Sequence, residues 1–307
     1  MNFELHYLAW MSRKFLFLLN PIAGTGKKSI VKRTIEQKAK ERKLDYEIAH
    51  THPSGDYSYL KSRIEIEKFT DIIIAGGDGT LSQVTGSLQG IDVNFGIIPC
   101  GSGNGLALAA GISKDPAKAL EVIFSGKLHE VDAFSINEKF SCMLSGLGLD
   151  AQVAHDFAKQ KRRGLASYIK HTVKNFFKAR TYHFNISAAD KKISTKAYFI
   201  SIANSNQFGN QFTIAPKASL HDGLLDIVIV QKMSRWKLLP AIWQQLKHGD
   251  VKESRLNPKG IVYFQTKSLN IHNTENAPLH IDGDPADTAE QFSIRIIPSA
   301  FRLYQPA

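Results

Sequence analysis

Residues 76–80, Gly-Gly-Asp-Gly-Thr, are the segment of this chain whose residue types and spacing most clearly indicate chemistry. It directly follows the apolar run 71–75, which is short and β-branched and therefore typical of a buried strand. Glycines at the end of such a strand let backbone N–H groups approach phosphate oxygens closely. Asp78 would repel a phosphate unless a metal ion or a reacting hydroxyl lay between them. The pattern therefore favours phosphoryl transfer over simple nucleotide binding.

Two further glycine loops follow two other apolar runs. Gly24-Thr25-Gly26 comes after residues 15–19, and Pro99-Cys100-Gly101-Ser102-Gly103-Asn104-Gly105 comes after residues 95–98. The first loop lacks the G-x-x-x-x-G-K-[ST] spacing of a P-loop, and each loop taken alone is an ordinary strand-to-helix turn. Three such loops at the carboxyl ends of one parallel sheet predict a shared nucleotide site.

Two carboxylate-rich segments lie later in the chain. Asp282-Gly283-Asp284 follows the apparent strand 279–281, and Asp222-Gly223-Leu224-Leu225-Asp226 precedes the apolar run 227–230. Asp-Gly is a common turn signal, so composition alone favours turns at both places. The functional alternative for 282–284 is a carboxylate pair that binds Mg²⁺ or accepts a proton from a hydroxyl.

The elements around these segments change character near Val131. Before it, strands alternate with helices, which predicts a parallel sheet with crossover helices. Pro53-Ser54-Gly55-Asp56 is expected to cap the second helix, and Asp115-Pro116 to begin a later one. After Val131, short strands follow one another and predict an antiparallel β domain, interrupted by helices near 163–180 and 235–248.

Composition limits the partners and the compartment. The 307-residue chain has a net charge of +11 and a pI of about 9.5, which implies an anionic partner. Nucleic acid is the weakest choice because no recognition motif accompanies the charge. Two cysteines without metal-ligand spacing favour a reducing cytosol, and no segment has the ~20 apolar residues of a membrane span. No signal-peptide pattern is present, and Met11 is an alternative start because the first strand begins near Lys14.

One predicted helix carries a basic face. Lys170, Lys174 and Lys178 recur at four-residue spacing, and Lys159, Lys161, Arg162 and Arg163 precede them. A solvated face is the commoner explanation, and a surface that docks on anionic lipid is the alternative.

The ordered set of motifs resembles the diacylglycerol kinase catalytic-domain family, which includes sphingosine, ceramide and bacterial lipid kinases. The matching segments run in family order from about residue 14 to 290 and are Asn20-Pro21 with Gly24 and Gly26, Gly76–Thr80, Pro99–Asn104, Asp222–Asp226 and Asp282–Asp284. Each motif is weak alone, whereas the ordered set is specific.

The resemblance implies a phosphofructokinase-like α/β nucleotide domain and an antiparallel β-sandwich domain with a cleft between them. We expect the α/β ATP-binding domain at residues 11–131, with 297–307 packing back on it. The β-sandwich lipid-acceptor domain is expected at 132–296.

The resemblance also implies an ATP-dependent transfer of the γ-phosphoryl group to a lipid hydroxyl, with Mg²⁺ as cofactor. The residues expected around ATP are Asn20, Thr51, Gly77, Asp78, Gly79, Thr80, Gly101 and Ser102. Asp282 and Asp284 would face the acceptor hydroxyl, with Asp284 at the usual position of the base. The side chain of Asp222 and the carbonyls of Ser219 and Leu224 would hold a structural Mg²⁺.

Three positions depart from the family pattern. Asp284 replaces a glutamate and is one methylene shorter, so Asp78 stays open as the alternative base. Asn104-Gly105 stands where the bacterial enzymes have Asn-Asp, and this version looks more like sphingosine kinases. Gln152 lies where a sphingoid amine would meet an acidic residue, although Asp150 is close. The acceptor, a diacylglycerol or a sphingoid-type lipid, therefore stays open.

Two other functions compete with a lipid kinase. NAD kinases share the Gly-Gly-Asp-Gly loop, although the Pro-x-Gly-Ser-Gly-Asn loop and the Asp-Gly-Asp turn argue against them. A non-catalytic lipid- or nucleotide-binding protein is the second alternative because Asp284 is short. For the kinase we expect a cytoplasmic protein in peripheral contact with anionic membrane, and a homodimer is possible.

Overall fold

A computed structural model describes residues 13–21, 28–158, 179–189, 191–207, 213–232 and 260–307. The described chain forms two compact units. Unit 1 comprises the residues up to Val131 together with Ala300–Ala307, and unit 2 comprises Asp132–Ser299.

Unit 1 is an α/β unit built on a parallel sheet. Its main strands are β1 (Lys14–Leu19), β2 (Asp45–His50), β3 (Asp71–Gly76) and β4 (Asn94–Pro99), in the spatial order β2-β1-β3-β4. All three pairings between them are parallel, so the four carboxyl ends meet at one edge.

The helices of unit 1 follow the strands in alternation. They are α1 (Lys28–Glu41), α2 (Leu60–Glu67), α3 (Asp78–Ser87), α4 (Gly105–Ala109) and α5 (Pro116–Ser125). The core between helices and sheet contains Phe15, Phe17, Ile35, Ile73 and Leu120. The buried apolar strands thus pack the sheet against its helices, and the loops at its carboxyl edge extend from this core.

Two helix starts test the capping expectations. Asp115 is the N-cap of α5 as predicted, and its carboxylate accepts bonds from the backbone N–H groups of Ala117 and Lys118. Asp56 does not cap α2, which begins at Leu60 after Tyr59. Asp56 instead accepts bonds from the N–H and hydroxyl of Ser58, because this local turn is completed before the helix begins.

Unit 2 is dominated by antiparallel strands. They are β5 (Lys127–Ile136), β6 (Lys139–Ser141), β7 (Leu144–Gly148), β8 (Tyr182–Ala188), β9 (Lys191–Ala203), β10 (Leu225–Gln231), β11 (Ile261–Thr266), β12 (Ser268–Asn273), β13 (Leu279–Ile281), β14 (Asp284–Ala286) and β15 (Gln291–Gln305). The first residues of β5 belong to unit 1, as does the end of β15, which pairs with β4 in parallel. One helix, α6 (Leu149–Ala158), follows β7.

Strands β7, β9 and β10 of unit 2 carry buried apolar side chains on both faces. One face packs around Phe184, Ile200 and Ile227, and the other around Tyr198 and Val228. Strand β9 is the centre of this arrangement, because it pairs with β7, β8 and β10. The α/β fold with a second β-rich unit is the fold class that the sequence predicted.

Several sequence-based expectations concern residues that the structure does not describe. The loop Gly24-Thr25-Gly26 and the basic residues from Lys159 to Lys178 lie outside the described residues, as does nearly all of the two helices expected near 163–180 and 235–248. Among the described residues, none of the helices has the length and apolarity needed to cross a membrane.

Candidate functional site

Unit 1 brings all eight residues expected around ATP to one edge of its sheet. Asn20 follows β1, Thr51 follows β2, residues 77–80 follow β3, and residues 101–102 follow β4. The chain is anchored at each exit by backbone bonds, such as those from Asn20 N–H to the Ala75 carbonyl and from Thr51 N–H to the Leu19 carbonyl. The edge therefore presents four loops on a common, rigid base.

Side chains connect these loops to one another. Asn20 Nδ2 donates to Thr80 Oγ1 at 2.7 Å, which joins the first loop to the Gly-Gly-Asp-Gly-Thr loop. Asn104 Oδ1 accepts from Gly101 N–H at 2.8 Å, and Asn104 Nδ2 donates to the Gly101 carbonyl at 2.7 Å. Asn104 is buried and has a φ of 58°, a conformation that asparagine tolerates better than most residues.

Asp78 organises the backbone of the neighbouring loop. It is the first residue of α3, and its carboxylate accepts from Gly105 N–H at 2.9 Å and from Leu106 N–H at 3.3 Å. These are the first two N–H groups of α4, so Asp78 satisfies donors that a short helix leaves open at its start. This contact favours a role for Asp78 in organising the site over a role as the base.

Glycine is required where two loops touch. A Cβ on Gly101 would lie 2.7 Å from the Cα of Gly77, and a Cβ on Gly77 would lie 3.1 Å from the Cα of Gly101. The two backbones can approach only because both side chains are absent. Glycine at both positions therefore allows the loops after β3 and β4 to meet at the edge of the sheet.

In unit 2, Asp282 and Asp284 flank a tight turn between β13 and β14, where Ile281 pairs with Asp284. Asp282 is buried, with 9% exposure, and has a φ of 49°. Its carboxylate accepts from the Ser141 hydroxyl at 2.7 Å and from the N–H groups of Cys142, Met143 and Leu144 at 3.0–3.2 Å. Asp282 therefore anchors the turn to residues 141–144, whereas Asp284 is exposed on it.

The loop that contains Asp222 precedes β10. Asp222 is exposed, and its Oδ1 accepts from Leu224 N–H at 3.0 Å, while Ser219 Oγ accepts from His221 N–H at 3.3 Å. Within the described residues, no cluster of three or more His, Cys, Asp or Glu side chains exists. The magnesium ligands expected from the sequence do not need such a cluster, because they are one side-chain carboxylate and two backbone carbonyls. These oxygen ligands suit Mg²⁺.

A second carboxylate lies near this loop. Asp226 is fully buried on β10 and accepts from the Tyr263 hydroxyl and from Gln265 Nε2. Burial is the main reason that the pKa of Asp226 is raised to about 7. The Gln265 bond opposes this rise, and the negative charge of Asp222 adds to it. A cation held by this loop would favour the ionised form of Asp226, so the charge of the loop also fits a metal.

Asp132 fixes the Asp222 loop through hydrogen bonds. Asp132 Oδ2 accepts from Gly223 N–H at 2.7 Å, and its Oδ1 accepts from Ser299 N–H at 2.9 Å. Asn204, fully buried, donates to the Asp132 carbonyl at 2.7 Å. The only signal in the sequence was a single carboxylate near a strand end.

The side chains of Asp150 and His280 form a buried pair that the sequence did not indicate. His280 Nε2 lies 3.5 Å from Asp150 Oδ2, and their side chains are 0% and 8% exposed. Gln152, two residues along α6, is exposed and donates to Asp156 Oδ1 at 3.2 Å.

Comparisons with known proteins cover nearly the whole chain. The model of the diacylglycerol kinase catalytic domain matches residues 14–136, and that of the YegS C-terminal NAD kinase beta sandwich-like domain matches residues 144–305.

Curated relatives and solved structures agree with these family models. A protein named "Probable lipid kinase YegS" from Salmonella arizonae is 27% identical over 76% of this chain and 78% of its own length. A diacylglycerol kinase from Bacillus subtilis is 24% identical over 87% of this chain and 88% of its own. The crystal structure of a diacylglycerol kinase from Bacillus anthracis shares the fold, with a TM-score of 0.74, 21% identity, and coverage of 95% of this chain and 97% of that one. Together with the motifs and the fold, these matches show that the chain is a kinase and belongs to the diacylglycerol kinase catalytic-domain family of lipid kinases.

Proposed function

We propose that this protein transfers the γ-phosphoryl group of ATP to a hydroxyl of a diacylglycerol or sphingoid-type lipid. The observation that carries the proposal is the edge of the unit 1 sheet, where the loops after β1, β3 and β4 are joined by the Asn20–Thr80 bond, by the Asp78 carboxylate and by the close approach of Gly77 and Gly101. The names of the relatives from Salmonella arizonae and Bacillus subtilis support a lipid as the acceptor.

Unit 1 is assigned the nucleotide. The glycine-rich loops after β3 and β4 would bind the phosphates through backbone N–H groups, which stabilise charge that develops during phosphoryl transfer. Asp78 keeps the start of α4 aligned, and the Asn20–Thr80 bond fixes the distance between the residues that follow β1 and the loop that follows β3.

Unit 2 is assigned the acceptor. Asp284 would accept the proton of the lipid hydroxyl or orient that hydroxyl for attack. Asp282 is engaged by four donors, so in this proposal it holds the turn and leaves the chemistry to Asp284.

Magnesium is assigned two places. One ion accompanies ATP and offsets the charge of its phosphates. A second, structural ion would be held by the Asp222 side chain with the carbonyls of Ser219 and Leu224, beside the buried Asp226.

The test is ATP consumption in mixed micelles with diacylglycerol, sphingoid base and ceramide. Asp284→Asn should lower kcat by roughly 10²–10⁴-fold, the usual contribution of a general base, with little change in the KM for ATP. Asp78→Asn should chiefly raise the KM for ATP, because the start of α4 loses one of its acceptors. Asp287→Asn is the matched control, since Asp287 is exposed three residues beyond Asp284.

The competing functions predict different results in the same assay. NADP formation from NAD would support an NAD kinase, and tight binding of ATP or lipid without turnover would support a non-catalytic protein. Full activity in both Asp284→Asn and Asp78→Asn would sink the proposed mechanism.

A further inference from the structure

Hydrogen bonds fix the turn that carries Asp284 at two points, and the first point is Asp282. The second point is Gly283, whose N–H donates to Nδ1 of His280 at 3.3 Å. His280 lies on β13, three residues before Gly283, and is fully buried. The buried imidazole of His280 therefore holds the backbone at the middle of the turn through a hydrogen bond.

The bond to Gly283 indicates the tautomer of His280. A neutral imidazole has one nitrogen that donates and one that accepts. Since Nδ1 accepts from Gly283, the proton belongs on Nε2, which faces Asp150 Oδ2 at 3.5 Å. That distance is long for a hydrogen bond, but the carboxylate charge still favours a proton on the facing nitrogen.

The carboxylate of Asp150 is itself held in place by a hydrogen bond. Its Oδ1 accepts from Ala151 N–H at 2.8 Å at the start of α6, while Oδ2 has no other hydrogen-bond donor among the described residues. His155 on the same helix bonds to the carbonyl of Leu279 at 2.8 Å, which ties α6 to β13. The helix and the strand are thus joined by the His155–Leu279 bond as well as by the Asp150–His280 contact.

The space for the pair is provided by a glycine. Gly146 on β7 lies opposite His280, and a Cβ there would be 1.9 Å from Asp150 Oδ2 and 2.7 Å from His280 Nε2. Burying two polar side chains costs free energy unless they interact, and an apolar residue would pack in the same volume without that cost. The arrangement is therefore better explained by the turn that it supports than by stability alone.

We propose that Asp150 and His280 are positioning residues for Asp284: Asp150 fixes the tautomer of His280, and His280 Nδ1 fixes Gly283 and hence the turn. Neither side chain is exposed enough to touch a substrate. The inference rests on the proposed function of Asp284, and it adds two residues that would act only through that carboxylate.

Three variants separate this role from simple stability. His280→Leu removes the acceptor for Gly283 and should lower kcat about 10- to 100-fold with an unchanged KM for ATP, since displacements of about 1 Å have such effects. His280→Asn keeps an acceptor near the Nδ1 position and should restore much of the loss. His272→Leu is the matched control, because His272 is an exposed histidine on β12 of the same unit.

The decisive measurement combines His280→Leu with Asp284→Asn. If His280 acts through Asp284, the double variant should be no slower than Asp284→Asn alone. A further loss by the same factor in the double variant would show that His280 acts independently of Asp284 and would overturn the proposal.

A second readout does not depend on activity. ¹⁵N NMR of the wild-type protein should show His280 with its proton on Nε2, and Asp150→Leu should alter that signal. Hydrogen exchange of the Gly283 amide should become faster in His280→Leu and stay slow in His280→Asn. If no lipid is phosphorylated, the proposed function fails, and the Gly283 exchange then decides separately whether the pair holds the turn; unchanged exchange in His280→Leu would refute it.

Discussion

Neighbouring carboxylates in this protein have different tasks that depend on what surrounds them. Asp282 and Asp284 are two residues apart, yet one is buried under four donors and the other is exposed on the turn. Asp222 and Asp226 show the same contrast in the loop before β10 and in the strand itself. At the scale of single residues, burial separates the carboxylates that build the site from those that could contact a substrate or metal.

The first prediction concerns the anchoring role of Asp282. Asp282→Ala removes the acceptor for one hydroxyl and three backbone N–H groups, and it should lower the free energy of unfolding by about 3 kcal/mol. Asp282→Asn should cost less, because one oxygen remains and asparagine tolerates the positive φ. Urea unfolding gives both values, and Asp287→Ala, an exposed site, should change stability by less than about 0.5 kcal/mol. A loss in Asp282→Ala no larger than in Asp287→Ala would contradict the role.

The second prediction concerns the raised pKa of Asp226. Its pKa in the folded protein, about 7, lies above the ordinary value of 3.8, so the folded state binds more protons between these pH values. The stability from this group is therefore complete below about pH 4 and is lost as the pH rises through 7. In buffer with a chelator, wild type should lose up to about 4 kcal/mol relative to Asp226→Asn between pH 4 and 8. A difference between the two proteins that is independent of pH would exclude the assignment.

At the scale of elements, the strand ends determine where the loops meet. Gly77 follows β3 and Gly101 follows β4, and these neighbouring parallel strands bring the two glycines into contact. The loops are further joined by Asn20 to Thr80 and by Asp78 to α4. A substitution at the end of one strand should therefore also shift the loop at the end of the neighbouring strand.

The third prediction tests this contact between loops. Gly101→Ala would place a Cβ 2.7 Å from the Cα of Gly77, and because that Cα is a backbone atom, a loop must shift. We expect ATP binding to weaken by at least about tenfold, as a shift near 1 Å disrupts several phosphate contacts. Gly77→Ala, with a contact of 3.1 Å, serves as the milder comparison and should weaken binding less. Calorimetric titration with ATP measures both, and a larger effect at Gly77 would refute the argument.

The elements were predictable from sequence where the signal is local. Short apolar runs identified β1 and β3, and Asp115-Pro116 identified the start of α5. β9 is longer than its apolar part because its polar first half, from Lys191, pairs with β8. The roles of Asp132 and His280 were not predictable, because they depend on contacts such as that between Asp132 and Ser299, 167 residues apart.

At the scale of the whole molecule, the two units differ in what they contribute. The described part of unit 1 carries all eight residues that are assigned to ATP. Unit 2 carries Asp284, the Asp222 loop and the buried pair beneath the turn. A lipid acceptor also requires the protein to reach a membrane surface, and a net charge of +11 is the property that would bring it there.

The fourth prediction is that this charge drives binding to anionic vesicles through the segment around Lys170, Lys174 and Lys178. Wild type should sediment with vesicles that contain phosphatidylglycerol but not with pure phosphatidylcholine, and added salt should release it. Changing these three lysines to glutamine should weaken binding roughly 100-fold, at about 1 kcal/mol per charge. The control changes three exposed lysines of unit 1, Lys32, Lys40 and Lys43, to glutamine and so removes the same net charge. Equal losses in the two triple variants would mean that overall charge, not this segment, determines binding, and the prediction for this segment would be wrong.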